Sequence, residues 1–362
     1  MNKIFKLASF TLIALFFSKN SQAFFLSKEE QKNRSYIHIV GSSTVSTFTS
    51  AIAEEYARNQ YLKGTPVETP VVESIGTGEG FKIFCGGVGL KYPDFLDASR
   101  QINEKEVANC AHHGVKKMIE IKIGYDGIVI GNSTGAKKMN LTKEHIFSAL
   151  AYKVFDKKSG EMILNPYKKW SEIDPSLPDS EIVFYGPPPT SGTRDVFVDI
   201  LMDEVCFNDK DLIKAYKTFF KTDNLAKQQC QRIREDGRFI ESGENDNLII
   251  QNLKKNPQAV GIFGYNFLVA NRKLVQPVKI EDVEPSPATI TSKRYQLSRP
   301  LFIYFKKENL EVMPQMRDFI QEIISDDTMG AEGYLKNSGL VPLSAREFSN
   351  LRKNILLQLD EK

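Results

Sequence analysis

After Ala23 the chain has no stretch long and apolar enough to cross a bilayer as a helix. Excess charge of one sign is also missing. Lys and Arg number 48 against 45 Asp and Glu, and a formal net charge of +3 is too small to point to a nucleic-acid partner. The aromatic-and-basic pattern of RNA binders is absent as well. Histidine is scarce: His38 falls in a strand, His112 and His113 are adjacent and His145 is in a helix, so none stands out as a general base or as part of a metal motif. There is no G-x-S-x-G elbow, no GxxxxGK[ST] phosphate loop and no CxxC pair. Together these absences argue against hydrolase, nucleotide and zinc readings, and no catalytic residue, cofactor or metal is expected.

What is present begins with an export signal. Lys3 and Lys6 precede an apolar run from Leu7 to Phe17, and Ser21-Gln22-Ala23 supplies small residues for cleavage after Ala23. Residues 24–35 read as a polar, mobile lead-in. No cysteine follows the apolar run to carry a lipid anchor, and a periplasmic location is expected. In an exported chain four cysteines suggest two disulfides. The most local pairing is Cys85 with Cys110 and Cys206 with Cys230, with the other two connectivities left open.

The recurring local unit is a strand, a loop of small hydroxyl residues and a helix start. Tyr36 to Val40 runs into Gly41-Ser42-Ser43-Thr44-Val45 and a helix from Ser46 to Tyr56. Pro66 to Glu73 runs into Gly76-Thr77-Gly78-Glu79-Gly80-Phe81-Lys82. Glu181 to Tyr185 runs into Gly186-Pro187-Pro188-Pro189-Thr190-Ser191-Gly192-Thr193-Arg194-Asp195, ahead of a helix to Val205. Phe95 to Ser99 ends in Arg100. Ile119 to Ile130, broken by Gly124-Tyr125-Asp126-Gly127, reads as a strand pair or a crossing strand. Trp170 reads as a packing residue. Strands alternating with helices predict an α/β protein with mainly parallel sheets, whose ligand sits at the carboxyl ends of the strands. A helix start with unpaired N–H groups, hydroxyls and a guanidinium suits a tetrahedral oxyanion.

These residues carry a resemblance. Gly41 to Val45, Gly76 to Phe81, Asp97-Ala98-Ser99-Arg100, Tyr125 to Val129, Trp170 to Ile173, Ser191 to Phe197 and Ala259 to Tyr265 occur in the order found in periplasmic phosphate-binding proteins, the substrate-binding components of phosphate ABC transporters. The resemblance spans nearly the whole chain after the lead-in. It implies a two-lobed type II periplasmic-binding-protein fold with the ligand in a cleft between lobes joined by two crossing segments. Lobe one would be residues 36–124 plus 265–350 and lobe two 125–264, with a charged tail at 351–362. The crossings would fall at Tyr125-Asp126-Gly127 and at Gly261 to Tyr265, with Asp126 structural. The implied partners are inorganic phosphate and a membrane permease, and the chain is expected to act as a monomer.

Carried across position by position, the resemblance implies phosphate contacts from Ser43, Thr44 and the Val45 amide. Thr77 (where the family usually has serine), Ser99, Ser191, Gly192 and Thr193 follow, with charge from Arg100 and Arg194. Two departures stand out. Arg100 occupies the place where the best-known members carry an aspartate that accepts the ligand's proton, and Pro187 stands where they have arginine. Candidate replacement acceptors are Glu79, Asp97 and Glu241. The same donors would suit sulfate or a tungstate-like ion, which is the alternative ligand class; a phosphatase or a hydrolase using Ser191 is the enzymatic alternative.

Overall fold

The computed structural model describes residues 34–360, apart from Lys157, Thr190, Glu244 and Asn245. The signal segment with its cleavage after Ala23, and the lead-in through Asn33, lie outside the described residues. Arg34, expected in that lead-in, is buried. Its guanidinium grips Asp94 with bonds of 2.5 and 2.7 Å and donates to Leu90 O. Asn309 Nδ2 donates to the same carboxylate at 2.7 Å. A buried charge held this way cannot be read from local composition, because its partner is 60 residues away.

The strands are β1 (His38–Gly41), β2 (Val71–Ser74), β3 (Phe95–Ala98), β4 (Met118–Ser133), β5 (Asn140–Leu141), β6 (Lys153–Asp156) and β7 (Glu161–Leu164). They continue with β8 (Phe184–Gly186), β9 (Phe239–Glu241), β10 (Val260–Gly264), β11 (Val275–Pro277), β12 (Lys279–Ile280) and β13 (Ser298–Lys306). Among the described residues one hydrogen-bonded path runs β2-β1-β3-β13-β4-β10-β8-β9, with β11 also on β4. The outer strands are parallel, as expected, whereas β13, β4 and β10 meet antiparallel in the middle.

The middle of this path explains the architecture. β4 is a crossing strand rather than a strand pair: Met118 to Gly127 pairs with β13, and Ile128 to Asn132 pairs with β10. Its burial alternates over the first half, with Ile119, Ile121 and Ile123 inward, and is continuous over the second. Alternation marks a strand with one covered face, and an unbroken run marks one covered on both. The chain still belongs at β11 to the second sheet (β8, β9, β10, β11 and β4 from Ile128) and rejoins the first (β1, β2, β3, β13 and β4 as far as Gly127) at β13. The return therefore lies beyond Gly261 to Tyr265, where the motif order had placed it. Strand propensity alone does not say which sheet a strand will join.

Helix α1 (Ser43–Leu62) buries Val45, Phe48, Thr49, Ile52 and Tyr56, one stripe at helical spacing. Tyr56 meets Phe319 edge-on at 5.2 Å. On the other face of the first sheet, α2 (Thr77–Phe84) packs Phe81 and Phe84 with Leu96, Phe302 and Tyr304. Helix α3 (Glu104–His112) follows β3 and α4 (Lys143–Leu150) follows β5. Trp170 opens the short α5 (Trp170–Ile173) and is fully buried against Phe184, with ring centroids 5.6 Å apart. The expected tail is instead the end of a helix from Ala345 to Asp360, which buries Phe348, Ile355 and Leu359.

Both local disulfides are present: Cys85–Cys110 joins the end of α2 to α3, and Cys206–Cys230 joins two helical segments of the second half. Closing a loop of 24 residues in sequence restricts the unfolded chain by about 3 kcal/mol. Replacing Cys206 and Cys230 by alanine should lower unfolding stability by about that amount, measured by urea denaturation under oxidising conditions. An unchanged midpoint would mean that this bridge does not constrain the unfolded chain.

Candidate functional site

Three turns at the carboxyl edge of the first sheet converge because β2, β1 and β3 run parallel. The turn after β1 is tight: Gly41 has φ +139°, and a Cβ there would lie 2.1 Å from Asp97 O. Ser42 then caps α1, donating its N–H to Asp97 O at 2.9 Å and accepting the Val45 N–H at 3.4 Å. This places Ser43 and Thr44 on the first turn. After β2, Gly76 caps α2 at φ +86° with no side-chain bond to the helix start. Thr77 Oγ1 lies 3.0 Å from Ser99 Oγ, at the end of β3, and accepts the Ser99 N–H at 3.2 Å.

The opposing wall comes from the second sheet. β8 ends at Gly186, the prolines bend the chain away, and Ser191 N-caps α6 (Gly192–Phe197), which continues through a π-helical turn from Val198 to Asp203. A Cβ on Gly192 would lie 3.2 Å from the Thr44 backbone, so only glycine permits this closeness without a shift. Across the gap Ser43 Oγ donates to Asp195 Oδ2 at 2.8 Å and Thr44 Oγ1 donates to Gly192 O at 3.4 Å.

Between these walls lies a cleft of 1270 Å³. This exceeds the ~300–1,000 Å³ of usual ligand pockets, so it includes an open mouth. Of the residues singled out in the sequence, Ser43, Thr44, Thr77, Ser99, Arg100 and Arg194 line it. Val45 lies beneath, its amide already given to Ser42. Ser191 is buried at the helix start, and Gly192 and Thr193 are half-buried in the first turn.

The two expected arginines are held differently. Arg194 donates to Pro187 O at 3.3 Å and lies 4.6 Å over the Phe239 ring; desolvation lowers its pKa, against the pull of Glu241 and Asp195. It stays charged, as arginine does in proteins. Arg100 is half-exposed, its fork engaged by Glu106 at 2.9 and 2.7 Å and its plane 5.5 Å over Phe81.

Among the described residues, none of the three carboxylates proposed as acceptors lines the cleft. Glu79 is exposed and paired with Lys82 at 2.7 Å. Glu241 ends β9 at the surface. Asp97 is sealed in the core, with one oxygen accepting from Thr49 Oγ1 at 2.8 Å and the other without a partner among the described residues. Burial pushes its pKa up to about 8, the Thr49 bond opposing. The carboxylates at the cleft are instead Glu120, Asp195, Asp199 and Asp203. A further arginine, Arg299 on β13, also lines it. Nothing in the sequence marks Arg299, which belongs to no hydroxyl-rich turn and is brought in by strand pairing alone. Asp195 was visible next to Arg194 but carried no signal of its own.

Fold and cleft together define a mixed α/β protein whose two sheets share a crossing strand and face each other over a donor-lined gap. The chain belongs to the PBP superfamily, whose family model, described as "PBP superfamily domain", matches residues 26–327. A curated relative, "Phosphate-binding protein PstS" of Staphylococcus epidermidis (strain ATCC 35984), is 31% identical over 302 residues, spanning 82% of this chain and 77% of the relative. The protein of that name from Staphylococcus saprophyticus is 29% identical over 321 residues, 87% of this chain and 82% of its own. Among solved structures, a possible phosphate binding protein from Planctomyces limnophilus aligns with a TM-score of 0.65 at 27% identity, covering 90% of this chain and 97% of that one. PstS from Borrelia burgdorferi shares the fold at a TM-score of 0.57 and 18% identity, covering 86% and 100%.

The state of Asp97 makes a test of the scaffold under the cleft. Its carboxyl stays protonated in the fold up to about pH 8, whereas a free one ionises near pH ~3.9. Its contribution to stability is therefore complete below that lower value and is lost as pH rises toward 8. Asp97→Asn, which cannot ionise, should gain on the wild type between pH 5 and pH 8 in denaturant titrations. A constant difference across that range would contradict the assignment.

Proposed function

We propose that this protein binds inorganic phosphate outside the cytoplasm and hands it to the permease of an ABC transporter. One observation carries the reading: the strand-end turns of one sheet and the α6 turn of the other bring hydroxyls and a desolvated arginine to a single gap, in a chain of the PBP superfamily whose relatives are named phosphate-binding proteins. In this reading Ser43, Thr44, Thr77 and Ser99 hold the anion from one side, and Ser191, Gly192, Thr193 and Arg194 hold it from the other. Val45 contributes through its amide once Ser42 yields it. Arg100 stands at the rim and reaches the anion only by leaving Glu106.

The mechanism follows from where the sheets join. β4 and β13 form the connection, so bending there moves the α1 turn relative to the α6 turn while each sheet stays rigid. The anion favours the closed arrangement because it makes contacts with both walls only there, and closure is what a permease can recognise. The relatives bear the names of binding proteins, which supports capture and release without chemical change. Lys3, Lys6 and the small residues before Phe24 support export with cleavage after Ala23, and we take the protein to work as a monomer.

Calorimetric titration of refolded, ligand-stripped protein should give one phosphate per chain. At phosphate 100 times above Kd the fold gains about 2.7 kcal/mol, so Tm should rise. Arg194→Ala should weaken binding by about 1.5–3 kcal/mol, the loss of a charge-assisted bond. No heat of binding and no Tm change at millimolar phosphate would overturn the proposal.

A further inference from the structure

Within the motifs the first sheet has one arginine for the anion, Arg100, and its guanidinium is occupied by Glu106. Arg299 is placed differently. It sits on β13 opposite Asp126 of β4, at the register where β4 is about to pass from the first sheet to the second. Its side chain is 11% exposed yet lines the cleft. A guanidinium carries five N–H donors. Nη2 reaches Thr44 Oγ1 at 3.3 Å, on the first turn of α1, and Nη1 reaches Asp199 Oδ2 at 3.3 Å, on the opposite wall. Both contacts are at the long end of the hydrogen-bond range. Nε is buried and meets no acceptor among the described residues.

We infer that Arg299 is the arginine through which the first sheet's wall takes the anion's charge, giving up Asp199 to the ligand as the cleft fills. The inference rests on the anion-binding reading above and adds to it a residue that none of the motifs contains. Three features support it. A cation withdrawn from water and left short of acceptors is costly unless an anion completes it, and here the open space beside it is the cleft itself. Burial lowers its pKa, against the pull of Asp126, Asp199 and Asp195, so these carboxylates compensate the charge only in part. Its neighbour Thr44 faces Gly192 across the gap, with Thr44 Oγ1 donating to Gly192 O at 3.4 Å, so an anion held by these turns lies within the arginine's reach. The exchange is also geometric. Asp199 belongs to the far wall and Arg299 to the first sheet, so replacing the carboxylate by a ligand held by both walls ties binding to closure.

The test is calorimetric titration of the full chain with inorganic phosphate for the wild type and four variants. Arg299→Gln should weaken binding about 100-fold, the cost of losing a charge-assisted bond pair. Arg299→Lys should recover part of that loss, since it keeps charge without the fork. Arg100→Gln should change affinity less than tenfold. Asp199→Asn should leave affinity equal or raise it, because it removes the competitor for Nη1. Thermal unfolding without ligand checks that each variant folds, and Asp199→Asn and Arg100→Gln decide the matter if Arg299→Gln does not. Unchanged affinity in Arg299→Gln with normal wild-type binding would overturn this inference alone. So would an Asp199→Asn loss as large as that expected for Arg299→Gln, since the Arg299–Asp199 contact itself would then be what matters. A wild type that does not bind phosphate would overturn the phosphate reading and this inference with it.

Discussion

The approach of two helix starts, α1 and α6, governs the rest of the site. Gly192 and Thr44 stand close enough that a methyl group between them would press on backbone. This closeness turns two ordinary capped turns into facing walls. N–H groups at helix starts lack partners within their own helix and carry the positive end of the helix dipole. Adding Arg299 and Arg194, both drawn out of water, concentrates positive potential in one gap. Asp195 and Asp199 now meet part of that demand from the far wall. A tetrahedral oxyanion can meet more of it at once because its oxygens point in four directions.

The scaffold exists to keep these turns in register. Parallel pairing of β2, β1 and β3 brings three loop tips to one edge, and Gly41 lets the first loop pass over Asp97 at a distance no other residue allows. Behind them the buried Arg34–Asp94–Asn309 cluster ties the start of the described chain to β3 and to the segment after β13. Breaking a buried pair of this kind typically costs 3–5 kcal/mol, because the remaining charge is left without a partner. These contacts hold the first sheet's strands together, and β4 carries the chain from that sheet to the second.

The sequence was most legible where the chemistry is local. The hydroxyl-rich turns after β1, β2 and β8 announce themselves by composition, and the structure brings Ser43, Thr44, Thr77 and Ser99 to one cleft with Arg194. The two disulfides take the most local of the three pairings that four cysteines allow, and the burial of Trp170 follows its residue type. What stayed hidden depends on contacts between distant segments. Arg299 looks like one more charge at the head of a strand until β13 is laid between β3 and β4. Where the chain returns to the first sheet depends on β11 pairing with β4 and β13 with β3, which motif order does not carry. Arg34 looks like part of a polar lead-in, and residues 351–360 like a charged tail, until their buried partners are known. Asp97 reads as an acceptor at the cleft until its burial, invisible in one dimension, puts it under the turn instead.

The most direct test of the central claim is a crystal structure of the protein grown with phosphate. One tetrahedral anion is expected between the α1 and α6 turns, within hydrogen-bond reach of Ser43, Thr44, Thr77 and Arg194. An anion bound elsewhere, or a gap left to water at saturating phosphate, would contradict it.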